Sequence, residues 1–169
     1  IQDAVGEGNR ILFGDGIALA DLKLSHDESA MIIEYGPYGD TIRIPGFDPA
    51  NGATPLGIDT IEFVDSTVRT YSQLIDQGFD ITGTDENDIL NGTNVVDRIN
   101  GFAGQDVLES GAGEDVLTGG IGNDSLNGGT GSDTYVFNLG DGVDAIDDFA
   151  LSGEGNALVF GPGITRASL

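Results

Sequence analysis

What this chain lacks narrows it first. It has no cysteine and no tryptophan, and only one histidine and one methionine. Without thiols, and with a lone imidazole, disulfide staples and zinc, copper or iron–sulfur centres are poorly supported. Basic residues are scarce too: 6 Lys and Arg stand against 29 Asp and Glu, a formal net charge of −23. Phosphate contacts need cationic side chains, so no nucleic-acid partner is expected. No apolar run approaches the roughly 18 residues that a membrane span needs.

Catalytic signatures are missing as well. Neither Gly-x-Ser-x-Gly nor His-Glu-x-x-His occurs. His26 stands among Ser25, Asp27 and Glu28, a polar setting that reads as a solvated loop rather than a catalytic base. Asp147 and Asp148 are adjacent, and neighbours on a strand point to opposite faces, which disfavours an acid–base pair. The turn Gly14-Asp15-Gly16 precedes no helix, so it fails as a phosphate cradle. Tyr35, Tyr38 and Phe47 are better read as packing of a thin β-domain than as an aromatic ligand surface. The expectation is a chain that is not an enzyme.

What is present is a period. From Gly83 the sequence reads GTDENDILN, GTNVVDRIN, GFAGQDVLE, SGAGEDVLT, GGIGNDSLN, GGTGSDTYV, six nine-residue units without insertion. Asp holds the sixth position: Asp88, Asp97, Asp106, Asp115, Asp124, Asp133. A large apolar or aromatic residue holds the eighth: Leu90, Ile99, Leu108, Leu117, Leu126, Tyr135. Nine suits neither an α-helix nor a hairpin meander, but it suits a solenoid of short strands and tight turns. Positions seven to nine form a strand with its central side chain inward. The first six positions turn, helped by glycines that tolerate positive φ.

Two units make one coil, which places Asp88, Asp106 and Asp124 in one column and Asp97, Asp115 and Asp133 in another. Strands stack about 4.8 Å apart. Unpaired carboxylates at that spacing repel by about 3 kcal/mol per pair at an effective dielectric near 20. One inward apolar residue per nine is too little to offset chain entropy of about 1–2 kcal/mol per residue. The segment therefore needs a counter-ion, and Ca²⁺ fits, since turns supply carboxylates and carbonyls together. Between Gly83 and Asp148 stand 14 acidic residues and one base, Arg98, so the charge excess is concentrated in the repeat. A halophilic habit would not fix aspartates at one position of a repeat. A Gly/Asp-rich flexible linker would not hold register over 54 residues, although disorder is the expectation for the calcium-free state.

The last two units fit Gly-Gly-x-Gly-x-Asp-x-apolar-x at every fixed position, and the chain resembles the RTX (haemolysin-type calcium-binding) family. The resemblance implies an all-β fold, a right-handed parallel β-roll, with ions held between loops two repeats apart by both Asp side chains and by turn carbonyls. Carried onto this sequence, the metal ligands are the six aspartates together with Gly101, Ala103, Gly104, Gly111, Ala112, Gly113, Gly119, Gly120, Ile121, Gly122, Gly128, Gly129, Thr130 and Gly131. Up to four calcium ions follow. Glu86 replaces the fourth-position Gly of the first unit, and Val95 and Val96 disturb the second. The best sites are therefore expected between units three and five and between units four and six. Family members typically leave Gram-negative bacteria by type I export and fold outside, so an extracellular, secreted or cell-surface place is expected.

Outside the repeats, residues 1–77 read as a β-rich domain similar to those interleaved with RTX repeats. Expected strands are Asn9 to Phe13, Leu22 to Leu24, Met31 to Tyr35, Thr41 to Ile44, Thr60 to Val64 and Val68 to Tyr71, with hairpins at Gly36-Pro37-Tyr38-Gly39 and Asp65-Ser66-Thr67. Ser72 to Gln77 is a helical turn. The roll is expected over 78–137, and 138–169 as a cap and the start of a next unit. In that cap Gly140 to Ile146 is a degenerate repeat with Asp144 as an extra ligand. Gly153-Glu154-Gly155-Asn156 through Phe160-Gly161-Pro162-Gly163-Ile164 matches Gly6-Glu7-Gly8-Asn9 through Phe13-Gly14-Asp15-Gly16-Ile17 at a constant offset of 147. The chain therefore reads as a fragment, monomeric on its own, of a protein with tandem copies. Two other readings stand beside a calcium-binding structural module: the export and folding module of a secreted enzyme, and an adhesin segment whose β-domain binds a host-surface glycan or protein.

Overall fold

The computed structural model describes residues 8–27, 29–148 and 151–166, and its contacts divide the chain into two units, Ile1–Phe79 and Asp80–Leu169. In the first unit, apolar and polar residues alternate along short strands. These are β1 (Arg10–Phe13), β2 (Lys23–Asp27), β3 (Ala30–Tyr35), β4 (Asp40–Pro45), β5 (Thr60–Phe63) and β6 (Val68–Thr70). β2, β3 and β4 form an antiparallel meander, and Leu24 of β2 pairs with Phe79. A separate sheet has the order β1-β5-β6, with β1 parallel to β5. Alternation puts Met31 and Ile33 of β3, and Ile61 and Phe63 of β5, into the core.

The helical turn is α1 (Tyr71–Ile75), starting directly after β6, the outer strand of its sheet. Thr70 caps it reciprocally: Gln73 N donates to Thr70 Oγ1 at 3.2 Å and Thr70 N to Gln73 Oε1 at 3.1 Å. His26 departs from its expected place. It lies half-buried in β2, its ring 5.6 Å from Phe47 and 5.9 Å from Phe79, because strand alternation turns it toward aromatic neighbours. Phe47 is buried and Tyr35 packs on Phe13, but Tyr38 is 88% exposed at the hairpin tip and belongs to no packing cluster.

The second unit is a parallel β-solenoid of about four turns. After β7 (Phe79–Thr82), strands alternate between two stacks. One holds β8 (Ile89–Asn91), β10 (Val107–Glu109), β12 (Ser125–Asn127) and β14 (Ala145–Ile146). The other holds β9 (Asp97–Gly104), β11 (Val116–Gly122), β13 (Thr134–Phe137) and β15 (Ala157–Phe160). Leu108 lies beside Leu90 and Leu126, and Leu117 beside Ile99 and Tyr135, the eighteen-residue coil read from the sequence. Ile99, Leu108, Leu117, Leu126 and Tyr135 make a buried core ladder.

Two features depart from the simple repeat. β9 and β11 continue past the three expected residues into the next turn, pairing Phe102 with Gly120 and Ala103 with Ile121, because stacked turns also bond backbone to backbone. Residues 157–160, expected to open a next unit, lie as a further rung beside β13.

Candidate metal centre

The turns set the sixth-position aspartates inside the solenoid wall. Asp97, Asp106, Asp115, Asp124 and Asp133 are 0–3% exposed, while Asp88, on the first coil, is half-buried. Each carboxylate has two distinct oxygens. In units three to six Oδ1 accepts the backbone N–H of the aspartate one coil earlier: Asp88 N to Asp106 at 2.9 Å, Asp97 N to Asp115 at 2.8 Å, Asp106 N to Asp124 at 2.9 Å, Asp115 N to Asp133 at 3.0 Å, whereas Asp97 Oδ1 is buried without a partner. Asp144 continues the first column by accepting from Asp124 N at 3.0 Å, although its spacing is 20 rather than 18 residues. Asn156 continues the second by accepting from Asp133 N at 2.9 Å.

Oδ2 separates the units into two kinds. In the first two it is satisfied from the second position of its own turn. Thr84 N and Oγ1 donate to Asp88 at 2.7 and 2.9 Å, and Thr93 N and Oγ1 to Asp97 at 2.6 and 2.9 Å. In units three to six that position is Phe102, Gly111, Gly120 or Gly129, all in the left-handed region with φ of 74°, 102°, 100° and 80°. There the Oδ2 atoms of Asp106, Asp115, Asp124 and Asp133 are buried with no hydrogen-bond partner. A buried carboxylate oxygen left without a donor is costly, and four at one repeat position indicate a cation.

First-position residues bring backbone oxygens to the same place. A methyl group on Gly83 would lie 2.8 Å from Asp88 Oδ2 and 2.7 Å from the Gly101 carbonyl oxygen, and one on Gly101 would crowd Asp106 Oδ2 and the Gly119 carbonyl. These carboxylate and carbonyl oxygens are the hard donors that Ca²⁺ takes. Some of the expected carbonyls also accept hydrogen bonds, which leaves each a second lone pair. The Gly111 oxygen accepts from Thr130 N, the Thr130 oxygen from Gly113 N, and the Gly128 oxygen from Ser110 Oγ. Among the described residues no three His, Asp or Glu side chains converge on one point, so a centre here combines carboxylates with carbonyls.

Burial shifts the acids accordingly. In the metal-free chain desolvation pushes Asp97 up to about 7 and Asp115 up to about 6, and raises Asp124 and Asp133 as well. At the far end Tyr135 donates to Asp148 Oδ2 at 2.7 Å, and Asp148 Oδ1 is buried and unpartnered. The carboxylate-capping role of Thr84 and Thr93 was missed in the sequence, although Thr at the second position in place of Gly was its visible signal.

The RTX calcium-binding nonapeptide repeat family, described in units of four copies, matches this chain over residues 82–117 and 110–144. No curated protein matches the chain. Period, coil geometry and family match agree that residues 82–144 are an array of RTX calcium-binding repeats, and they support a calcium-binding structural module there.

Proposed function

We propose that this module is a calcium-triggered fold, non-catalytic in itself, that works outside the cell in a secreted or cell-surface protein. The observation that carries this is the set of four buried, unpartnered Oδ2 atoms on Asp106, Asp115, Asp124 and Asp133. On this reading Asp106 with Asp124, and Asp115 with Asp133, hold the strongest ions, each aided by turn carbonyls. Asp88 and Asp97, already bonded by Thr84 and Thr93, hold weaker ones or none. Calcium supplies positive charge to columns that otherwise repel, so its binding energy becomes folding energy. A coil at low cytosolic calcium and a rigid roll outside suit type I export, and affinities of about 10⁻⁴–10⁻³ M suit extracellular modules.

Calcium titration followed by far-UV circular dichroism, with magnesium as control, tests the reading. The expected result is a cooperative gain of β signal between sub-millimolar and millimolar Ca²⁺ and none with Mg²⁺. A full β spectrum of the roll in chelator would refute the trigger.

A further inference from the structure

The sequence repeat at offset 147 places one strand in two settings. β1 is followed by Gly14, and its copy β15 by Gly161, each preceded by Gly-Glu-Gly-Asn. β1 pairs in parallel with β5, Arg10 to Thr60 through Phe13 to Phe63. β15 pairs in parallel with β13, Ala157 to Thr134 through Phe160 to Phe137. The two pairings use opposite edges. Ala157 N and Gly161 N donate to Asp133 O and Phe137 O, each at 2.8 Å, so 157, 159 and 161 face β13. In the first unit, Asn9 O accepts from Asp59 N at 2.9 Å and Thr60 N at 3.2 Å, so 9, 11 and 13 face β5. Because backbone groups of successive strand residues alternate between edges, the positions equivalent to 9, 11 and 13, namely 156, 158 and 160, face away from β13.

Exposure agrees. Phe13 is 3% exposed, stacked at 5.4 Å on Phe63 and set edge-on at 5.3 Å to Tyr35. Its counterpart Phe160 is 40% exposed, beside Leu158 at 55% and Val159 at 45%, on the last strand of its sheet. An apolar strand with an open edge invites pairing with another chain segment.

We propose that β15 is a shared strand: one edge closes the calcium roll, and the other takes the β5 strand, Thr60–Phe63, of a second copy of the β-rich unit. The register is that of β1 on β5, and Phe160 stacks on the second copy's Phe63 as Phe13 does on its own. Successive modules are then joined by a continuous hydrogen-bonded sheet rather than by a flexible linker. A second copy that begins at Lys23 lacks a β1 of its own, and β15 supplies it.

The test is a doubled chain, residues 1–169 followed directly by a second copy of 23–169, compared with the single chain by amide hydrogen exchange at saturating calcium. In the single chain Ala157, Val159 and Gly161 should be protected while Leu158 and Phe160 exchange fast. In the doubled chain Leu158 and Phe160 should slow by about tenfold or more, and the second copy's Thr60 and Glu62, whose amides face the β1 edge of β5, should be protected. Phe160→Ser should unprotect the second copy's Thr60 and Glu62 while leaving the first roll's Leu108 and Leu117 slow. Unchanged exchange at Leu158 and Phe160 overturns the proposal, as does a second copy whose Thr60 and Glu62 stay equally protected in the Phe160→Ser chain, or one that does not fold at all in the unsubstituted doubled chain. Leu108 and Leu117 report calcium-dependent folding of the roll separately, so failure of the joint is distinguishable from failure of the trigger.

Discussion

Acid should partly replace calcium. In the metal-free roll Asp97 is wholly buried and its carboxyl is pushed from 3.8 up to about 7, and Asp115 up to about 6. A raised folded-state pKa means that the folded chain holds its proton more tightly than the unfolded chain does. Stability is then fully present below the unfolded value and is lost as pH rises through the window from about 4 to about 7. At about 1.4 kcal/mol per unit, ionising Asp97 costs the metal-free fold on the order of 4 kcal/mol and Asp115 on the order of 3. The two are not summed, because Asp97 N donates to Asp115 and the groups interact. Either figure is a large part of the 5–15 kcal/mol by which domains are ordinarily stable. In chelator, lowering the pH from 7.5 to 5.0, still above the sequence pI of about 4.1, should increase the β signal in far-UV circular dichroism. A β signal that is flat, or that falls on acidification, would show that carboxylate desolvation is not what holds the calcium-free chain open.

Asp124→Asn should raise the calcium midpoint of folding by about tenfold, the scale of lost ligand support. Asp97→Asn should not raise it, because Thr93 already occupies its Oδ2 and a neutral amide carries no ionisation cost; equal shifts in the titration would sink this ranking of the units. Leu117→Ala removes a fully buried rung of the core ladder and should cost about 2–5 kcal/mol in urea unfolding of the calcium-loaded roll. Gly120→Ala places a methyl group against the Phe102 carbonyl oxygen at a φ of 100° and should cost about 1–3 kcal/mol by the same assay, and a neutral outcome would argue that the turn relaxes.

The roll was legible because its rules are local. One apolar residue in nine fixes the inward rung at Leu108, Leu117 and Leu126, and Asp at a constant position fixes the columns. The hairpins of the β-rich unit were legible too, since Gly36 to Gly39 and Asp65 to Thr67 carry turn chemistry. Pairing between distant segments was not. Nothing in the composition of Arg10–Phe13 says that it runs parallel to Thr60–Phe63, a partner some fifty residues away, because such pairing is decided by packing after local structure has formed. His26 was misplaced for a related reason. Its sequence neighbours are polar, but its spatial neighbours are Phe47 and Phe79.

The ends of the two columns show what each carboxylate oxygen does. Oδ1 maintains coil-to-coil stacking through the N–H of the preceding aspartate, a role that a neutral amide fills equally well. Asn156 fills it, accepting from Asp133 N through Oδ1 while its Nδ2 points to Asp148. An amide nitrogen is a donor and repels a cation, so the hydrogen-bond column runs one rung further than a carboxylate column can. At the other end Thr84 and Thr93 give Oδ2 a hydroxyl and an amide, which satisfies the oxygen without an ion. Both ends keep the stacking bond and dispense with the metal-facing one by different chemistry. The Oδ2 atoms of Asp106, Asp115, Asp124 and Asp133 are left with neither substitute, and Asp97 Oδ1 and Asp148 Oδ1 are likewise buried without a donor. These unpartnered oxygens lie along the same stretch as the one-in-nine apolar ladder of Ile99, Leu108, Leu117, Leu126 and Tyr135, so on the proposed reading bound calcium would add its support where the apolar core is thinnest.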